Sequence, residues 1–293
     1  MAVVSPPGDD LPVTPRSGGL PVPPNPPGPP MPPWPRSWDL TVRGLRCWLT
    51  TYRRTWRSSV WSSVLGPLFY LGAMGFGLGS LVDKHGLARL GGVPYLAFVA
   101  PAILAMQAMN TAMGESSFPV FGSVKWNKIY IAAQASPLRP ADIYRGHLAF
   151  ILMRIAMNSA VFLVIMCAFG SARSALVILA LPAAILTGLA FAAPIAAWAV
   201  TLKQEMVFNY LFRFGMVPLM LFSGTFFPVS QLPSWLRPVA YATPLWHGVE
   251  LCRSLSLGSV PAGSTVINVA YLAVLASIGI VAGSWTYRRR LYV

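Results

Sequence analysis

Charge is scarce in this chain, and negative charge scarcer still. Of 293 residues only 10% are charged and only eight are Asp or Glu, where a soluble domain carries about 25% charged residues. Paired carboxylates for acid–base work do not stand out, so an enzyme has little to stand on. The four lysines follow Asp83, Val124, Asn127 and Leu202, never a glycine, so the phosphate-binding pattern GxxxxGK[ST] cannot occur. No GxSxG elbow and no HExxH zinc motif is present. Cys47, Cys167 and Cys252 are far apart, as are His85, His147 and His247. Neither a disulfide framework nor a metal site is expected from them.

Apolar residues are abundant, at 55%. That much apolar surface cannot be hidden in one soluble core and points to the bilayer as solvent. The net charge is +14, but the positive residues flank apolar runs instead of forming one patch. This favours membrane topology and anionic lipid over nucleic acid.

Residues 1–37 stand apart, with 14 of the 28 prolines. Proline fixes φ and lacks an N–H, so a disordered or polyproline-like tail is expected. It has no apolar core like that of a signal peptide. A solvated tail and a docking site for a polyproline-reading domain both fit it. In residues 38–57, Trp38, Val42, Leu45, Leu49, Tyr52 and Trp56 recur every three or four positions, beside Arg43, Arg46, Arg53, Arg54 and Arg57. The pattern predicts an amphipathic helix lying in the membrane interface.

Residues 58–293 hold six apolar runs, at about 59–82, 94–114, 147–169, 175–201, 206–228 and 266–287, each long enough to cross a core of about 30 Å. The expected fold is an all-α polytopic membrane protein with six spans. Pro67, Pro101, Pro194 and Pro218 fall inside runs, where neighbouring helices satisfy the freed backbone groups. Gly72, Gly75, Gly77 and Gly79 give the first run a small face suited to close packing. With the N-terminus inside, 15 Lys and Arg lie in inner segments and five in outer ones, which predicts cytoplasmic termini.

Arg154, Glu205 and Arg213 lie within or at the start of runs. Charges there are costly, and either snorkel to headgroups or serve function. Glu115, at the end of the second run, is a candidate partner for either arginine. The segment between the second and third runs, about 115–145, mixes aromatic and basic residues, and Pro140-Ala141-Asp142 reads as a helix start. The segment 229–265 is too apolar for a free loop and too rich in proline for a span, so short re-entrant helices are expected. Trp235, Trp246 and His247 there read as interface anchors.

Phe222-Ser223-Gly224-Thr225-Phe226-Phe227-Pro228, then Leu232-Pro233, Pro244-Leu245-Trp246-His247 and Arg253, resembles the signature of type-2 ABC transporter permeases. Phe76-Gly77-Leu78-Gly79, Tyr95-Leu96-Ala97-Phe98, Ala100-Pro101 and Ser136-Pro137-Leu138-Arg139 with Asp142-Ile143 resemble the nodulation-factor (lipo-chitooligosaccharide) export branch. Daunorubicin-type drug exporters look similar. The resemblance covers about residues 38–293.

It implies a permease in the cell membrane that pairs with a second copy and binds a separate ATPase, which holds the ATP and Mg²⁺. No cofactor is implied for this chain itself. Glu115, Lys125, Trp126, Lys128, Tyr130, Leu138, Arg139 and Asp142 would form the coupling region that meets the ATPase. Residues 38–57 would be a connecting helix, and the segment after the fifth run the outer re-entrant helices. The cargo would be amphiphilic: a lipo-oligosaccharide, a lipid-linked glycan or a hydrophobic drug. An ion-coupled transporter, a lipid scramblase and a membrane scaffold are the competing readings. The first two want acids near the midplane and inverted repeats, and neither is evident.

Overall fold

The computed structural model describes residues 37–79, 92–135 and 138–291. The proline-rich segment, Lys84, His85, Arg89, Ser136 and Pro137 lie outside the described residues, as do the side chains of Trp38, Arg54, Trp56 and Arg57. Among the described residues every regular element is helical.

The elements are α1 (Ser37–Gly72, continued by a π-helical turn Ala73–Gly79), α2 (Tyr95–Ser116), α3 (Phe118–Lys125), α4 (Ile129–Gln134) and α5 (Pro140–Ala168). A 3₁₀ turn, Ala175–Leu179, leads into α6 (Ala180–Ala199). Then come α7 (Met206–Phe222), a 3₁₀ turn Val229–Gln231, α8 (Arg237–Tyr241), α9 (Pro244–Leu257) and α10 (Ala262–Leu291).

Four stretches are long and apolar enough to cross a membrane: Tyr95–Lys125, Pro140–Ala168, Ala175–Ala199 and Ala262–Leu291. They match the second, third, fourth and sixth expected spans. The fifth is shorter, ending at Phe222 instead of 228. Its middle is π-helical, Leu211–Met216, immediately before Pro218. The ring at 218 removes the bond to the carbonyl of Phe214, and a wider turn is one way a helix absorbs that loss.

The largest departure from expectation is α1. No break separates an interfacial helix 38–57 from a first span at 59; one helix runs through both. Two of its described aromatic side chains, Trp48 and Tyr52, pack along α5. Trp48 stacks on His147 with ring centroids 3.9 Å apart, and Tyr52 lies edge-on to Phe150 at 6.0 Å. Arg43, Arg46 and Arg53 stay exposed.

α2 is the central helix. Val99, Ala100, Ala102, Leu104 and Ala105 are wholly buried, the alanines among them letting α5, α6 and α9 close around it. Of the glycines expected to form a small face on the first run, a Cβ at Gly72 or Gly77 would meet nothing within 4 Å, and one at Gly79 would meet the Met74 carbonyl of its own turn at 3.0 Å. Close approach occurs instead where Gly146 of α5 meets Gly44 of α1, with a Cβ at 146 only 3.1 Å from the Gly44 backbone. It recurs where Gly279 of α10 meets Pro194 of α6, at 2.6 Å.

Candidate functional site

α2 begins at one end of the bundle and finishes at the other, about 33 Å away for its length. Three places along it carry distinct sets of polar side chains.

At the end where α2 finishes, α3 and α4 form two short helical turns. Lys128 between them takes the left-handed conformation, φ +51°, and turns the chain into α4. Lys125, Trp126, Lys128 and Arg139 are exposed, and Trp126 keeps 56% of its surface open. Arg139 caps α5: its N–H donates to Asp142 Oδ2 at 3.4 Å, with Pro140 in the first turn, as the sequence suggests. That cap leaves Asp142 buried, and Leu138 is half-buried against the core.

Tyr130 also turns inward. Its hydroxyl shares hydrogen bonds with His147 Nδ1 and, at 3.3 Å, with the Tyr287 hydroxyl. Burial pushes its phenol well above the ordinary value, so it stays protonated. Tyr130 and Asp142, expected to face a partner, are therefore buried inside the fold.

The α3 end also borders a cavity of about 440 Å³, where Phe121, Lys125 and Trp126 face Lys203, Glu205 and Met206 of the turn into α7. Glu205 is exposed there, and Arg213 is exposed on the π-helical turn. Neither forms a salt bridge among the described residues. The sequence groups these two with Arg154, but only Arg154 is enclosed.

Along the last two turns of α2, α2 and α5 run antiparallel and meet through two polar rungs. Arg154 Nε donates to Glu115 Oε1 at 3.0 Å, and one turn on Asn158 Nδ2 donates to Thr111 Oγ1 at 3.2 Å. Side-chain exposures of 12% for Arg154 and 22% for Glu115 make this a largely desolvated pair. The guanidinium also lies 4.9 Å from the Tyr52 ring centroid. Gln107 and Asn110 extend the polar face, and the cleft holds about 330 Å³. Asn110 Oδ1 and Arg154 Nη1 are buried there without a hydrogen-bond partner among the described residues. The polar positions 107, 110, 111 and 115 fall at helical spacing within an apolar run. That spacing is the signal that would have found the cleft from sequence.

At the opposite end, Arg253 of α9 joins three elements. Its Nη2 donates to the Gly224 carbonyl at 2.8 Å and its Nε to the Phe98 carbonyl at 3.2 Å, with the guanidinium 3.8 Å from the Phe98 ring centroid. Burial pulls this guanidinium down to about 10, Glu250 opposing, so it remains charged at neutral pH. Gly224 has φ +75°, a conformation open to glycine, and this lets its carbonyl meet the arginine. Pro228 leads into the 3₁₀ turn, and Thr243 caps α9 ahead of Pro244. Trp246 packs edge-on to Tyr241 at 4.9 Å. His247 is buried: Nδ1 bonds Asn268 Oδ1 at 2.7 Å and the ring stacks on Tyr271 at 4.0 Å. It joins α9 to α10 and is no surface anchor. Of the three expected anchors only Trp235 is largely exposed.

Comparison with known proteins fits this architecture. Residues 43–257 match the family described as ABC-2 type transporter. The chain is 32% identical over 253 residues to Nodulation protein J of Rhizobium leguminosarum bv. trifolii, covering 83% of this chain and 94% of that one. Against Nodulation protein J of Sinorhizobium fredii the identity is 30%, with the same two shares covered. Against that of Rhizobium meliloti it is 29%, over 87% of this chain and 99% of the relative.

Proposed function

The chain belongs to the ABC-2 type transporter family, and on that premise we propose that it is the exporter permease on which a separate ATPase docks at the α3–α4 end. The observation that carries the docking assignment is the surface there. Lys125, Trp126 and Lys128 are displayed on the short turns of α3 and α4, and Arg139 at the capped start of α5. A partner pressing on them would push on a helix that continues through the bundle. The absence of GxxxxGK[ST] from the sequence supports a motor, with its ATP and Mg²⁺, on another chain.

The topology that suits this reading has six spans, formed by the second half of α1 with α2, α5, α6, α7 and α10. Both termini are then cytoplasmic, and α8–α9 re-enter from the outside. The charge count of the flanking segments supports that orientation. A second copy would complete the pathway. The exposed apolar residues Phe69 on α1 and Phe214 and Val217 on α7 are suited to meet it or lipid. The cargo in this reading is an amphiphile moved outward, as the resemblance to nodulation-factor and drug export permeases implies. An ion-coupled mechanism finds less support, because Glu115 is held by Arg154 and not free to carry an ion.

The test is co-purification of the full chain with the ATPase, followed by joint replacement of Leu138 and Arg139. The expected outcome is ATP hydrolysis without transport, with the protein still in the membrane. Unchanged ATP-dependent export in that variant would refute the docking assignment.

A further inference from the structure

The cleft between α2 and α5 is polar although both of its walls are long apolar helices. Both of its walls belong to stretches that can cross a membrane. An unpaired polar group in hydrocarbon is costly and is kept only for a reason. Here two buried atoms lack hydrogen-bond partners among the described residues, and they are complementary: Asn110 Oδ1 accepts and Arg154 Nη1 donates.

The charges of the cleft cancel. Glu115 holds Arg154 through Nε at 3.0 Å, leaving the outer guanidinium nitrogen as a donor in a neutral setting. A phosphate or carboxylate site presents uncompensated positive charge. This cleft instead mixes the amides of Gln107 and Asn110 with one guanidinium nitrogen and a partly exposed carboxylate. Hydroxyl groups, each both donor and acceptor, answer such a mixture best. The volume of about 330 Å³ lies at the lower end for small-molecule sites and has room for a sugar ring.

The geometry points to the cleft of Gln107, Asn110 and Arg154 as a subsite for the neutral, polyhydroxylated headgroup of an amphiphile, a glycosyl group. Pro119 of α3 closes one side, so the subsite sits toward the α3–α4 end of the bundle. This deepens the exporter reading and rests on it for its role in transport, though binding itself is measured without an ATPase.

The experiment places the full-length chain in phosphatidylcholine nanodiscs doped with either a monoglucosyl diacylglycerol or phosphatidylglycerol of the same acyl chains. Retention is read by native mass spectrometry. The glucosyl lipid should be retained over phosphatidylglycerol, and Asn110→Leu should weaken that retention about tenfold, as for one lost hydrogen bond. Glu115→Gln leaves an acceptor for Arg154 but makes the cleft net positive, and should shift preference toward phosphatidylglycerol. Gln107→Leu carries the same test should Asn110→Leu fail to fold. Equal or better retention of phosphatidylglycerol by the unaltered chain, or unchanged glucosyl-lipid binding in the folded leucine variant, overturns the proposal. A chain that binds the glucosyl lipid but recruits no ATPase overturns the exporter reading alone. The converse result overturns the subsite alone.

Discussion

Replacing Arg154 with methionine would remove the group that holds Glu115 between α2 and α5. Surface ion pairs are worth about 0–1 kcal/mol, but this pair is largely enclosed, with 12% and 22% of the two side chains exposed. The enclosed regime applies, where loss of one partner strands the other charge at a cost of about 3–5 kcal/mol. The Tyr52 ring beneath the guanidinium adds ~0.5–1 kcal/mol. Glu115→Leu should cost a comparable amount by stranding the arginine. The double variant should lose only about 1 kcal/mol more than either single one, which sets the coupling at about 2–4 kcal/mol. The assay is reversible unfolding of the full chain in bicelles by SDS titration, run as a double-mutant cycle. Arg213→Met is the control, because Arg213 is exposed and without a salt bridge among the described residues, and it should stay within ~0.5 kcal/mol. Additive losses, with coupling below about 0.5 kcal/mol, would refute the idea that the two residues hold each other across the helices.

Arg253→Lys should loosen the α8–α9 end by about 1–3 kcal/mol, since one ammonium cannot reach both the Phe98 and Gly224 carbonyls and also cover the Phe98 ring; faster amide exchange confined to 222–258 would report it. Gly146→Leu should lower the melting temperature by forcing α1 off α5, a cost of about 1–3 kcal/mol or more, because its Cβ would sit 3.1 Å from Gly44 backbone atoms. Gly72→Ala, in open space, should be neutral or stabilising by up to ~1 kcal/mol.

Much of the helical layout was legible because apolar runs and proline leave strong local marks. Pro140 and Asp142 announced the start of α5 by their own chemistry, which needs no tertiary contact. The cleft was half legible. Glu115 was marked as a partner for an arginine, but choosing Arg154 over Arg213 required the antiparallel register of α2 and α5, which is a non-local fact. On α1, Tyr52 of the expected face meets Phe150 of α5, a protein neighbour that the sequence did not name. Periodicity tells which side is apolar and is silent on whether protein or lipid covers it. Tyr130 and His247 show the same limit: each looks like a surface aromatic in the sequence, and only the return of α10 buries them. Gly72 and Gly77 of the first run show a related limit, for a Cβ on either would meet nothing within 4 Å among the described residues. Small size permits close packing, but another helix has to arrive to use it.

Where α4 meets the bundle, Tyr130, His147 and Tyr287 bond to one another and Trp48 stacks on the histidine. Those four side chains come from α4, α5, α10 and α1, which are distant in sequence and converge at one spot. A short helix between two turns would ordinarily behave as a tether, yielding under load before passing it on. Clamped in this way, it would serve the proposed docking as a handle. Displacing it would drag three long helices together, because the clamp is made of rings and a buried hydrogen-bonded chain with little slack to take up first.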